Sequence, residues 1–198
     1  MLVIHPFDPN SYAHPNLISI YINAVVFFIL DIIRLKPTTM ETFYADINFY
    51  YLTSRIIVGV LGVISIYVAF LIGKEYHRDF GLILAILFTF FAPFVLHSHY
   101  ATPEIPLTLF ILIVILYSIR YLKDPSSNNL LIISLFSAIS TAEKYPGALS
   151  FLMVFTVVFV SYYKSKQLCI KLTQAAFLSI MFLGLFTLPL VINYDRTI

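Results

Sequence analysis

Polar residues in this chain are bunched, and long apolar runs lie between the bunches. Residues 1–16 are polar and proline-rich, with Pro6, Pro9 and Pro15. Residues 17–35 are apolar apart from Asn23, Asp31 and Arg34. Residues 36–54 mix Lys36, Pro37, Glu41 and Asp46 with tyrosines, a composition that does not span a membrane. From Arg55 onward the pattern is regular. Residues 56–72, 80–96, 105–122, 130–142, 148–163 and 172–192 are apolar, with short polar turns between them. A membrane-spanning helix needs about 20 mostly apolar residues. Six runs qualify, and 130–142 is the shortest. The pattern predicts an all-α fold, a polytopic transmembrane helical bundle in a single domain over 1–198. Residues 1–54 form an outer loop and interfacial helix, and residues 55–198 form about six transmembrane helices.

Composition agrees. The chain is 60% hydrophobic and 11% charged, with a mean hydropathy of +0.92, whereas a soluble domain is about 25% charged. These values imply a multi-pass membrane protein whose first partner is the lipid bilayer, with the cell membrane as the expected location. The net charge of +2 and the lack of any basic run give no footing for nucleic acid. The single Cys169 permits no internal disulfide.

Charge sets the orientation. Alternate turns fall on opposite sides of the bundle. One side holds Lys74, Arg78, Arg120, Lys123, Lys164, Lys166 and Lys171; the other holds Arg55, Lys144 and Arg196. Cytoplasmic turns carry the excess of Lys and Arg, so the second side is outside. In 17–35, Asp31 and Arg34 are three apart and share a helix face. That polar face suggests a helix lying in the membrane interface. Lying flat, it places His14 with the outer polar set; if it spans instead, His14 is cytoplasmic.

The outer side gathers the candidate chemistry. His97-Ser98-His99-Tyr100-Ala101-Thr102-Pro103-Glu104-Ile105-Pro106 joins two spans and carries two histidines, a tyrosine and a carboxylate. An ionisable group at such a depth is a functional candidate; a solvated turn with a helix-starting acid is the plain alternative. Arg55 either snorkels to the interface or binds an anion. Lys144 lies in Glu143-Lys144-Tyr145-Pro146-Gly147. Adjacent residues on a helix do not face each other, so Glu143 is no partner for it. Ser140 and Ala148 flank Lys144 at four residues, and Tyr51 and Gly59 flank Arg55. Neither cation therefore has an acidic neighbour at helical spacing. The chain has no glycine-rich phosphate loop, zinc-ligand spacing or nucleophile elbow.

Taken in order, these features resemble the GT-C fold glycosyltransferases of the protein O-mannosyltransferase and aminoarabinose-transferase-like superfamily. Tyr12-Ala13-His14-Pro15-Asn16-Leu17 is similar to the end of that family's first outer loop, which often reads His-Pro-Pro-Leu. Ser54-Arg55-Ile56 resembles the Arg-Leu that opens a following span. Ile72-Gly73-Lys74-Glu75-Tyr76 resembles the Gly-Arg-aromatic cytoplasmic turn. The stretch from Pro93 to Pro106 resembles a proline, small-residue and acid segment, with Glu104 as the acid. Ser140-Thr141-Ala142-Glu143-Lys144-Tyr145 is similar to a Leu-Thr-Lys-Tyr segment, with Glu143 where Thr is commoner.

The resemblance implies a GT-C-like N-terminal module and a membrane glycosyltransferase. Such an enzyme moves a mannose-like sugar from a polyprenyl- or dolichyl-phosphate donor to an acceptor protein, lipid or glycan at the outer face. It implies Glu104 as the catalytic acid group, which orients or deprotonates the acceptor or helps hold a divalent cation. Lys144, with Arg55 as the secondary partner, is the donor-phosphate contact it implies, and His14, His97, His99 and Tyr145 are the substrate contacts. The family's principal acid, near the end of its first span, has no counterpart here. On this reading the sequence is a portion of a larger enzyme, or a shortened relative, lacking the first span and first acidic motif. Two other classes fit a helical membrane bundle. A small transporter places its ionisable groups near the midplane of paired halves, and a non-catalytic scaffold or assembly subunit needs none.

Overall fold

The computed structural model describes residues 16–33 and 40–192. Among them every regular element is helical: α1 (Leu17–Ile32), α2 (Met40–Ala45), α3 (Ile47–Lys74), α4 (Arg78–Phe90), α5 (Ala92–Ser98), α6 (Glu104–Lys123), α7 (Ser127–Glu143), α8 (Ser150–Tyr162) and α9 (Leu168–Ile192), with a 3₁₀ turn at Tyr145–Leu149.

The helix ends follow from short-range chemistry. The Asp46 carboxylate accepts from Phe49 N–H at 3.2 Å and caps α3. That cap starts the helix at Ile47, earlier than the apolar run at 56 suggests. The tyrosine- and asparagine-bearing turns before Arg55 are thus the first turns of α3 rather than a loop. The Ser126 hydroxyl accepts from Asn129 N–H at 3.3 Å and caps α7. Pro93 lacks an N–H and its ring would strike the preceding turn, so α4 cannot run on. The chain bends by 61° between α4 and α5. The apolar run over 80–96 is therefore two helices rather than one continuous one. Pro106, by contrast, sits in the first turn of α6, where its missing N–H is not needed.

Four stretches are long and apolar enough to cross a membrane: Ile47–Lys74, Glu104–Lys123, Tyr145–Tyr162 and Leu168–Leu188. The bent α4–α5 pair makes a fifth when it is read as one span. The sixth expected span is α7, which has 17 residues. At 1.5 Å per residue it covers about 25 Å, short of a 30 Å hydrocarbon core. It nevertheless runs antiparallel along α6 and lies inside the bundle, with Leu130, Ile133, Ser134, Ser137, Ala138, Ser140, Ala142 and Glu143 all buried.

The core is built around α6 and α7. On one side Val68 and Ile72 of α3 pack against Leu109, Phe110, Leu112 and Leu116 of α6. On the other, Val114 and Tyr121 of α6 meet Leu130 and Ile133 of α7, Val154, Val157 and Val158 of α8, and Ala175 of α9. The outer helices expose large apolar residues, among them Val63, Tyr67, Ile86, Phe90, Phe177, Ile180 and Leu185, as a lipid-facing surface must. α3 and α4 approach backbone to backbone where Gly73 meets Gly81. A Cβ on Gly73 would lie 2.5 Å from the Gly81 Cα.

The two ends of the bundle differ. At one, Glu75 is bonded by Arg120 Nε at 2.7 Å and Lys123 Nζ at 2.9 Å, which ties the α3–α4 turn to the last turn of α6. The Arg120 bond, then the Lys123 bond, holds the Glu75 carboxyl below the usual carboxylate range. The opposite end holds Glu104 and Lys144.

Candidate functional site

Glu104 opens α6 directly after Pro103, and Lys144 follows the last residue of α7 in extended backbone. Lys144 Nζ donates to Glu104 Oε1 at 2.7 Å. Both side chains are about one-third exposed, 31% and 32%. This corrects the expectation that Lys144 lacks an acidic neighbour: its partner is 40 residues away, out of view of any helical-spacing rule. The other carboxylate oxygen, Oε2, is buried and has no hydrogen-bond partner of full geometry; neither has the buried Thr102 hydroxyl.

The turn beneath Lys144 is tightly built. Lys144 N–H donates to the Ser140 carbonyl at 3.1 Å, and Gly147 N–H donates back to the Lys144 carbonyl at 2.8 Å. A Cβ at Gly147 would lie 2.1 Å from the Ser140 oxygen, so only glycine fits. The Ser150 hydroxyl donates to the Gly147 carbonyl at 2.6 Å and lies 3.0 Å from the Ser140 hydroxyl. These bonds hold Tyr145–Leu149 against α7 and fix where the lysine leaves the backbone. Tyr145 itself is exposed.

Arg55 stands apart from that pair. Its guanidinium lies 5.8 Å from the Tyr51 ring centroid, and no carboxylate among the described residues bonds it. It lines a concave pocket with Thr89, Phe90, Ala92, Val95, Leu96, His99 and Tyr100 at the α4–α5 break. His99 Nδ1 is 2.7 Å from the Val95 carbonyl. His97 is half-buried and does not line the pocket. Tyr100 and Glu104 are four positions apart in the chain, a reach of no more than about 14 Å. The described residues thus hold a cation-bearing apolar pocket and, four positions on from its Tyr100, a carboxylate with one oxygen engaged and the other buried without a partner. His14 lies outside the described residues.

The residue that sequence reasoning passed over is Glu143. Its side chain is fully buried and bonded to Ser19 of α1. The only signal was its place where threonine is commoner in the resembling family. As for a metal, among the described residues no three His, Cys, Asp or Glu side chains come together to hold one.

Residues 40–192 match the family described as dolichyl-phosphate-mannose-protein mannosyltransferase. The match takes in α2 to α9 and more than three-quarters of the chain. The chain belongs to this family. No curated protein and no solved structure matches it. Membership makes the chain a multi-pass member of a membrane glycosyltransferase family. Arg55, His97, His99, Glu104, Lys144 and Tyr145 all fall inside the matched residues, and His14 precedes them.

Proposed function

We propose that this chain carries the donor pocket and acid group of a membrane glycosyltransferase. It transfers a mannose-like sugar from a polyprenyl- or dolichyl-phosphate carrier to a hydroxyl of a protein, lipid or glycan. The observation that carries this reading is the divided state of Glu104. Lys144 donates to Oε1 and aims the group, while Oε2 is buried without a hydrogen-bond partner. A carboxylate so placed can take the proton of an acceptor hydroxyl. The acceptor oxygen then bonds to the sugar's anomeric carbon, and the bond from that carbon to the carrier phosphate breaks. The departing phosphate needs a cation. Arg55 stands first for that role because no carboxylate among the described residues already engages it, and a guanidinium suits phosphate geometry. Lys144 is second, since it must leave Glu104 to help.

The charge bias puts Glu104, Lys144 and Arg55 at the outer face of the cell membrane. There α1, bonded to Glu143 and Ser54, rests along the interface rather than crossing. One observation favours a second reading, a non-catalytic subunit: the Glu104–Lys144 bond is closed on itself and would serve as a staple. Transfer from a polyprenyl-phosphate-sugar by the full-length protein separates the two. Glu104→Gln should lower turnover by about 10²–10⁴ while the protein stays folded and inserted. Turnover near wild type would leave the staple.

A further inference from the structure

Glu143 takes no part in the chemistry proposed above, yet its side chain is 0% exposed. A buried ionisable group has to be satisfied by protein, and here a distant helix does it. Ser19 N–H donates to Glu143 Oε2 at 2.8 Å, and the Ser19 hydroxyl donates to Oε1. Asn16 N–H donates to the Glu143 carbonyl at 2.9 Å. Asn16, the residue ahead of α1, is left-handed at φ 37° and makes no side-chain cap. Glu143 therefore does what an N-cap residue does: it accepts from a first-turn N–H. It does so from 124 residues away.

A second pin lies further along α1. The Ser54 hydroxyl donates to Asn23 Oδ1 at 2.6 Å, and the Asn23 amide donates to the Ser19 carbonyl at 2.8 Å. Phe27 meets Tyr50 edge-on, with centroids 5.1 Å apart. Glu143 directly precedes Lys144, and Ser54 directly precedes Arg55. α1 thus grips the chain immediately before each of the two candidate cations.

We infer that Glu143 is a positioning residue: its carboxylate seats the first turn of α1, and the seated helix ties the segment carrying Lys144 to the segment carrying Arg55. The catalytic meaning of that tie rests on the proposed glycosyltransferase reading; the tie itself does not. Reductive methylation of lysines on the full chain in lipid nanodiscs, mapped by mass spectrometry, tests it without any sugar donor. Glu143→Ala should raise Lys144 labelling several-fold and amide hydrogen exchange over residues 17–23 about tenfold, with Lys123 at the far end labelled at the wild-type rate. Glu143→Gln keeps the bulk and an acceptor oxygen and should restore most of the protection. Ser19→Ala removes only the hydroxyl, so it should move both readouts the same way by less and add little to Glu143→Ala. Lys144 labelling unchanged in Glu143→Ala, with or without faster exchange in α1, overturns the inference. If Lys123 labelling rises too, Glu143→Ala has lost its fold and Ser19→Ala decides by the same readouts. A full-length wild-type protein that transfers no sugar would overturn the proposed function and leave the labelling result standing.

Discussion

Lys144 Nζ reaches Glu104 Oε1 at 2.7 Å and joins the end of α7 to the start of α6. Under the proposed function the bond splits the labour between two cations. Lys144 is engaged, and Arg55, in its own pocket, has no carboxylate bonded to it among the described residues. Arg55→Ala should therefore weaken binding of a short polyprenyl monophosphate by about tenfold or more, as expected for losing a hydrogen bond to a charged group. Lys144→Ala should cost less. Titration by calorimetry on the full-length protein gives both numbers, and a larger loss at Lys144 would reverse the assignment.

The Gly73–Gly81 contact makes a stability prediction. Gly73→Ala places a methyl 2.5 Å from the Gly81 Cα. It should cost about 1–3 kcal/mol, as overpacking does. Gly59 in the same helix has nothing within 4 Å of a built Cβ, so Gly59→Ala should be neutral or stabilising by up to about 1 kcal/mol. Thermal unfolding in detergent followed by size-exclusion chromatography orders the two. Equal melting points would mean that α3 and α4 do not touch there.

Glu75 gives a pH dependence of known sign. Arg120 and Lys123 lower its pKa in the folded chain. Its stabilising effect is complete above the ordinary carboxylate range, about pH 4, and fades as pH falls through the lowered value. Wild type should thus be more stable than Glu75→Gln at pH 7, and the gap should close under strongly acid conditions. A gap that widened on acidification would contradict the ion pair.

Orientation is open to cysteine labelling. With the native Cys169 replaced by serine, a cysteine at Tyr100 should react with an impermeant maleimide from outside. One at Tyr76, beside Glu75, should react only after the cells are opened. The reverse pattern would put Glu104 and Lys144 in the cytoplasm.

Much of the bundle is legible in the sequence because lipid requires long apolar helices, and the runs over 56–72 and 105–122 lie within α3 and α6. Glu104 and Lys144 stand out singly because charge at membrane depth is conspicuous. What the sequence hides is who meets whom. Helical spacing compares residues three or four apart, so it cannot see a bond across 40 positions, still less the Ser19–Glu143 bond across 124. The early start of α3 is hidden for another reason. Asp46, Asn48 and the tyrosines look like a loop until the aspartate is seen to cap the helix they begin.

The break after Phe90 has one more consequence. α4 has 13 residues, a rise of about 20 Å, so it stops roughly 10 Å short of a 30 Å hydrocarbon layer before the chain veers off by 61°. The wall of the bundle is notched there, and the notch holds Arg55, with the strongly exposed Phe90 at its side. An isoprenoid carrier lodged in it would enter sideways and leave its tail among neighbouring lipids. Each turnover would then wait on diffusion within one leaflet, with no need to lift a water-insoluble chain out of the bilayer.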